Sequence, residues 1–158
     1  MNEIKETLVA VVYEMAKEDS YRKPVKADGT NFEWVHWCSE DGLLDLLTVR
    51  LDFENNDFFY DGMWCGRYPI ESDDIEEFIL RVLCVGRNYR HLSPELVNKL
   101  KDYAVNGMRV WKITYGRYNY ETHSRQTKYI SARTMEEAIK KARVKTLQEI
   151  DLVPATMK

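Results

Sequence analysis

The sequence predicts an α+β protein with an antiparallel sheet, because stretches of helical period and stretches with a period of two follow one another along the chain. Ile4, Leu8 and Met15 recur at helical spacing, whereas Leu47 and Val49 alternate with polar residues. The predicted order of elements is α-βββ-αα-ββ-α. The chain has 158 residues, of which 44% are hydrophobic and 31% charged, so we expect a single globular domain over 1–158.

The first helix is predicted over residues 3–17, where charged residues separate the apolar positions and Asn2 can serve as N-cap. The following stretch, 17–31, is polar and contains Pro24 and Gly29. Neither apolar period is present in it, so the stretch is predicted to be a loop.

Three strands are predicted between residues 32 and 68. The first, 32–38, is rich in aromatic residues and is followed by a turn at 39–42. In 47–53 apolar residues occupy every second position, which places them on one face of a sheet. Asn and Asp at 55–57 favour a turn, after which 58–65 returns as the third strand.

Two consecutive helices are predicted next. Ser72 precedes two acids and an apolar stripe over 75–83, so we predict that it caps a helix that ends at Gly86. Pro94 then begins a second helix, which runs to Asn106, because proline is well tolerated at the first helical position.

The last third is predicted to form strand, strand and helix. Apolar residues alternate over 111–115, a polar turn covers 118–126, and a short strand returns at 129–132. The sequence of 134–137 is that of a capping box, in which Thr and Glu side chains satisfy backbone donors at a helix start. The helix is predicted to continue to about Leu147.

The run from Tyr129 to Ile139, YISARTMEEAI, resembles the strand-hairpin-helix of small phage and plasmid accessory proteins of the DpnD/PcfM-like kind. The resemblance covers about a third of the chain. It implies an origin in a phage or mobile element, and it supplies no catalytic residues.

Charge is divided unevenly along the chain. Residues 103–148 contain ten basic and three acidic side chains, a local charge of +7, although the net charge of the protein is -3. The other residues therefore carry -10. The predicted strand-strand-helix unit at 108–148 is thus a basic element in an otherwise acidic protein.

The basic unit is a candidate for nucleic-acid binding, because cations that neutralise phosphates alternate with rings that stack on bases. The candidate residues are Lys112, Arg117, Tyr118, Tyr120, Arg125 and Lys128. Strands ordinarily use aromatic side chains to fill the core-facing side and keep cations on the other side.

The acidic part offers a second candidate, a surface for a basic protein partner formed by Asp73, Asp74 and Glu77. The same acids also suit the positively charged start of a helix. A third group, Asp52, Glu54, Asp57 and Asp61, surrounds the predicted turn, where oxygen ligands could hold Mg²⁺ or the acids could simply be solvated.

The sequence lacks the nucleotide-binding, hydrolase and zinc-protease motifs G-x-x-x-x-G-K-[ST], G-x-G-x-x-G, G-x-S-x-G and H-E-x-x-H. We therefore predict no catalytic residues, no cofactor and no bound metal. Acids near the N-terminus, the lack of an apolar stretch of membrane-spanning length and an odd number of cysteines predict a cytoplasmic protein that does not bind membranes.

The function predicted from the sequence is non-catalytic. We expect a phage or mobile-element accessory protein or inhibitor that binds a host macromolecule, such as a nucleic-acid-processing complex, through a protein partner. The alternative is an RNA- or DNA-binding module that uses the basic hairpin and last helix, and a small metal-dependent hydrolase or nuclease ranks third. The oligomeric state is left open.

Overall fold

The computed structural model describes residues 2–21, 23–38, 43–65, 68–105 and 107–154. Their contacts divide the chain into two compact units, Met1–Ala104 and Val105–Lys158. Each unit combines an antiparallel sheet with helical structure, which confirms the predicted α+β class. The basic unit at 108–148 lies within the second, and the single domain stays a prediction. No helix in the described ranges is long and apolar enough to cross a membrane.

The described residues of the N-terminal unit form three α-helices, a short 3-10 helix and a five-stranded sheet. The helices are α1 (Asn2–Asp19), α2 (Ile75–Gly86) and α3 (Pro94–Ala104), and the 3-10 helix is Met63–Cys65. The strands are β1 (Lys26–Asp28), β2 (Asn31–Cys38), β3 (Leu43–Asp52), β4 (Asp57–Asp61) and β5 (Ile70–Ser72). Each strand pairs with the next one along the chain, so the sheet is an antiparallel meander.

The core of this unit lies between the helices and one face of the sheet. The buried residues of α1 are Ile4, Thr7, Leu8, Val11, Val12, Met15, Ala16 and Asp19. Every second residue of the central strands also points inward, as their alternation predicts. Phe58 of β4 stacks on Phe78 of α2 with ring centroids 5.3 Å apart, which joins the sheet to a helix.

The predicted strands are present at β2, β3 and β4, and the differences lie at their ends. β1 falls in the segment predicted to be a loop, because its backbone pairs with the edge of β2. β4 ends at Asp61 rather than at Cys65. A Cβ on Gly62 would overlap the hydroxyl of Tyr60, so glycine is needed where the chain leaves the strand. The predicted turn at 39–42 lies outside the described residues.

Helix α2 begins after the predicted cap. The prediction that Ser72 is the N-cap is wrong, because Ser72 is the last residue of β5. Asp74 caps the helix instead, and its carboxylate accepts hydrogen bonds from the amides of Glu76 at 2.8 Å and Glu77 at 3.2 Å. Helix α3 begins at Pro94, as predicted.

The described residues of the C-terminal unit form one helix and a three-stranded antiparallel sheet with the order β7-β6-β8. The elements are β6 (Arg109–Asn119), β7 (Ser124–Ala132), α4 (Met135–Ala142) and β8 (Leu147–Leu152). The predicted end of α4 at Leu147 is wrong, because Arg143 adopts a left-handed conformation with φ 53°. The chain then returns to the sheet as β8, which the sequence did not predict.

The predicted capping box at the start of α4 is confirmed for the threonine, whereas the glutamate bonds a different amide from the one predicted. The hydroxyl of Thr134 accepts a hydrogen bond from the amide of Glu137 at 3.0 Å. The carboxylate of Glu137 accepts from the amide of Arg133 at 3.2 Å, one residue before the cap. Hydrogen bonds from Lys141 and from the Arg133 amide lower the pKa of Glu137, so this carboxylate is ionised at neutral pH.

Candidate nucleic-acid interface

The antiparallel pairs of the C-terminal sheet divide its side chains between two faces. On one face Trp111 lies opposite Leu152, and Ile113 lies opposite Ile150, and all four are buried. Helix α4 packs against β6 and β7, and its buried side chains complete the core of the unit. The indole Nε1 of Trp111 donates to the carbonyl of Ala132 at 3.0 Å, which fixes the ring in this core.

The other face of the sheet points away from this core, and we call it the open face. It comprises Val110, Lys112 and Thr114 of β6, Arg125, Thr127 and Tyr129 of β7, and Glu149 and Asp151 of β8. Lys112 lies directly between Tyr129 and Asp151, one on each neighbouring strand. Lys112 and Arg125 are exposed, and Tyr129 keeps 64% of its surface in solvent. A cation and an exposed ring therefore stand side by side.

The open face extends to the hairpin that joins β6 to β7. Gly116 has a positive φ of 78°, and the register shifts between Tyr115 and Asn119, which marks a bulge in β6. Beyond it the guanidinium of Arg125 lies 5.6 Å from the ring centroid of Tyr118. Tyr118 meets Tyr120 edge to face at 5.0 Å, and Tyr120 is 81% exposed. The bulge thus brings two tyrosines toward the arginine.

Two of the six predicted nucleic-acid-binding residues do not join this group. Lys128 points to the side of the sheet that α4 covers, and its Nζ donates to the carbonyl of Ala142 at 3.0 Å, at the helix C-terminus. Its ammonium also lies 5.4 Å from the ring centroid of Tyr115. Arg117 is exposed, but it lies in the bulged stretch between Tyr115 and Asn119, where strand alternation does not place it with the other cations. Of the other four, Lys112 lies on the sheet beside Tyr129, and Arg125, Tyr118 and Tyr120 form a contact group at the hairpin.

The third strand adds acids that the sequence analysis missed. Glu149 lies opposite Thr114, and Asp151 lies opposite Lys112, so both carboxylates belong to the open face. Ile150 and Leu152 alternate with them and are buried, which is the signal from which a strand could have been predicted. The open face is therefore basic and aromatic on β6 and β7 but acidic on β8.

The acids predicted to bind a protein partner contribute to the start of α2. Asp74 is the N-cap, and Glu77 is only 6% exposed and accepts a hydrogen bond from the hydroxyl of Ser72 at 3.2 Å. Asp73 is exposed. The structure therefore gives two of these three carboxylates a role in the helix start.

The acids around the first hairpin are held by their neighbours. Hydrogen bonds from the side chain and amide of Asn55 lower the pKa of Asp52. Asp57 lies 3.6 Å from the guanidinium of Arg50, and Glu54 is exposed. Within the described ranges, no group of three or more His, Cys, Asp or Glu side chains is arranged to hold a metal ion.

A buried polar chain in the N-terminal unit links Asp19, Tyr89 and Tyr60. The hydroxyl of Tyr89 donates to Oδ2 of Asp19 at 2.8 Å and lies 2.8 Å from the hydroxyl of Tyr60. Because the one hydroxyl proton of Tyr89 goes to the carboxylate, Tyr60 is the donor to Tyr89. The amide of Met63 donates to the same Oδ2 at 3.0 Å. These hydrogen bonds thus join the end of α1 to the segments that contain Met63 and Tyr89.

Burial shifts the pKa of three side chains in and beside this cluster. Burial raises the pKa of Asp19, and hydrogen bonds from Met63 and Tyr89 act in the opposite direction. Burial also raises the pKa of Cys65 to about 11, so its thiol is protonated at neutral pH and is a poor nucleophile. Burial likewise raises the pKa of Tyr60 well above its ordinary value. We interpret the cluster as a polar clamp within the core.

Comparison of the chain with protein-family models, with curated proteins and with solved structures found no match. The function is therefore inferred from the side chains and their geometry. Among the sites considered, the open face alone combines exposed rings with cations in one defined arrangement of the described residues.

Proposed function

We propose that the protein binds nucleic acid through the open face of the C-terminal sheet and the adjoining hairpin. The observation that supports this function is the exposure of Tyr118, Tyr120 and Tyr129 beside Lys112 and Arg125. In the alternative interpretation of the sequence, the aromatic residues of these strands fill the core. Trp111 does so, but these three tyrosines do not.

Each component of the face has a definite role in this proposal. Lys112 and Arg125 neutralise phosphates and release condensed counterions. The tyrosine rings stack on bases, and a base stacked on an aromatic side chain contributes about 1–3 kcal/mol. Stacking accepts any base, so we expect weak dependence on sequence.

Fluorescence anisotropy with labelled oligonucleotides tests the proposal. Tyr120→Ala and Tyr129→Ala should each weaken binding about 5- to 150-fold, the equivalent of one lost stacked base. Lys112→Gln should also weaken binding, whereas Lys140→Gln, which removes the same charge from an exposed position on α4, should change it little. No binding at about 50 mM salt, or an equal loss in both lysine variants, would contradict the proposal.

The salt dependence gives an independent measure of the number of phosphates contacted. Two cations on the open face predict that log affinity falls against log salt with a slope of about -1.4 for a single strand. Lys112→Gln should reduce the slope to about -0.7. A slope several times steeper would mean that other cations make the contacts.

A protein partner is the second candidate function, and the exposed apolar side chains after β4 favour it. Met63, Trp64 and Tyr68 are exposed, with Tyr68 at 79%. Pulldown from bacterial lysate with and without nuclease separates the two functions, because a directly bound protein survives the nuclease. If a bound protein remains after nuclease treatment, charge reversal at Asp73 should slow the capture of that protein when it is basic. A phage or mobile-element accessory or inhibitor role stays a prediction.

A further inference from the structure

The charge of the open face changes across the sheet, from basic and aromatic to acidic. Directly opposed pairs set the order Tyr129, Lys112, Asp151 across β7, β6 and β8. Neighbouring strands lie about 4.8 Å apart, so the row of acids is about 5 Å from Lys112 and about 10 Å from Tyr129. Glu149 continues the acidic row beside Thr114.

This arrangement leaves room for one phosphate backbone. A single nucleic-acid strand that lies along β6 and β7 passes Lys112, Tyr129 and Arg125 and ends at the tyrosines of the hairpin. A backbone displaced toward β8 meets the carboxylates of Glu149 and Asp151 and is repelled by them. A duplex carries two backbones separated by a groove of about 6–12 Å, a width similar to that of this sheet.

The tyrosines favour the same kind of ligand. Stacking on exposed rings needs bases that are free on one side, which single strands and loops provide and the interior of a duplex does not. Tyr129 and Arg125 are four residues apart on β7, a separation of about 13 Å, so the sheet part of the site matches about four stacked nucleotides and the hairpin tyrosines lie next to Arg125. The binding site is therefore short.

We propose that the open face binds single-stranded RNA or DNA in preference to duplex, and that Glu149 and Asp151 exclude the second strand. The inference rests on the proposed nucleic-acid-binding function and adds the class of ligand and a role for β8. RNA and DNA share the phosphate and base chemistry on which the face acts, and the experiment includes a probe of each.

The experiment compares single-stranded RNA, single-stranded DNA and a duplex of the same sequence, each of about 12 nucleotides, by anisotropy at about 50 mM salt. We expect the duplex to bind the unaltered protein at least about tenfold more weakly than either single strand. Glu149→Gln with Asp151→Asn should increase duplex affinity about three- to tenfold, and more than single-strand affinity. Glu6→Gln, an exposed acid on α1, controls for the change in net charge.

The outcomes separate the two proposals. If neither single strand nor duplex binds, the proposed function fails. If the duplex binds as tightly as the single strands, the proposed function survives and the preference for single strands is wrong. If the preference persists unchanged in the double variant and in Glu149→Gln alone, with unaltered melting temperatures, the assigned role of the β8 acids is wrong.

Discussion

Replacement of Tyr89 by phenylalanine tests the buried polar chain in the N-terminal unit, because it removes one oxygen and keeps the ring. That oxygen donates to Asp19 at 2.8 Å and lies 2.8 Å from the hydroxyl of Tyr60. Tyr60 is fully buried and Asp19 nearly so. The variant therefore leaves a carboxylate and a hydroxyl in the core with one partner fewer each.

The cost can be estimated bond by bond. A hydrogen bond to a charged group contributes about 1.5–3 kcal/mol and one between neutral groups about 0.5–1.5 kcal/mol. Tyr89→Phe should therefore lower the free energy of unfolding by about 2–4.5 kcal/mol. Tyr60→Phe removes only the second bond and should cost about 1 kcal/mol. Tyr68→Phe, at a position 79% exposed, should change stability by less than about 0.5 kcal/mol.

Urea unfolding followed by circular dichroism measures these differences at neutral pH. The cost of Tyr89→Phe should also decrease in acid, because the lost bond stabilises the ionised form of Asp19. A double-mutant cycle between Tyr60 and Tyr89 should give a coupling of at least about 0.5 kcal/mol. A change as small as that of Tyr68→Phe, or additive effects in the cycle, would refute the hydrogen-bonded chain.

The remaining predictions concern a buried acid, a helix end and a helix start. Burial raises the pKa of Asp19, so its contribution to stability is full below the pKa of unfolded aspartate and is lost as the pH rises through the folded pKa. Asp19→Asn should therefore flatten the pH dependence measured by urea unfolding. Lys128→Met should cost about 1 kcal/mol of stability, because its ammonium binds the C-terminus of α4, with little loss of nucleic-acid affinity. Arg125→Met should instead lower nucleic-acid affinity with little change in stability. Similar effects of the two variants on affinity would contradict the assignment of Arg125 to the open face and of Lys128 to the face that α4 covers. Thr134→Ala should cost about 1 kcal/mol, measured as a lower melting temperature, and an unchanged melting temperature would contradict the cap.

Local patterns were sufficient for the elements that depend on local chemistry. The sequence correctly predicts the threonine cap at Thr134 and the proline that begins α3, because cap and proline preferences act within a few residues. The cap of α2 was misassigned to Ser72 because Asp74, two residues later, is an equally good cap. Only the pairing of Ser72 in β5 decides between them.

Contacts between distant residues left no local pattern. Asp19 and Tyr89 are 70 residues apart, and nothing near either one predicts a hydrogen bond between them. The sequence pattern of the basic helix runs on through Leu147, the first residue of β8, so it hides the strand although Ile150 and Leu152 alternate with acids. Four of the six candidate residues of the nucleic-acid interface lie on the open face or at the adjoining hairpin, because strand pairing and the bulge assign residues of one sequence run to different positions.

Contacts within the C-terminal unit limit how much of the positive charge of residues 103–148 is available to a ligand. Residues 103–148 carry +7, but the ammonium of Lys128 is bound to the end of α4, and that of Lys141 donates to the carbonyl of Ser131 and pairs with Glu137. β8 then adds Asp151 beside Lys112. The open face therefore acts on a ligand through few cations and several rings. Affinity that comes mainly from stacking depends weakly on salt, whereas affinity from phosphate contacts falls steeply with salt. If the face works as proposed, a shallow salt slope and a preference for single strands should therefore be observed together.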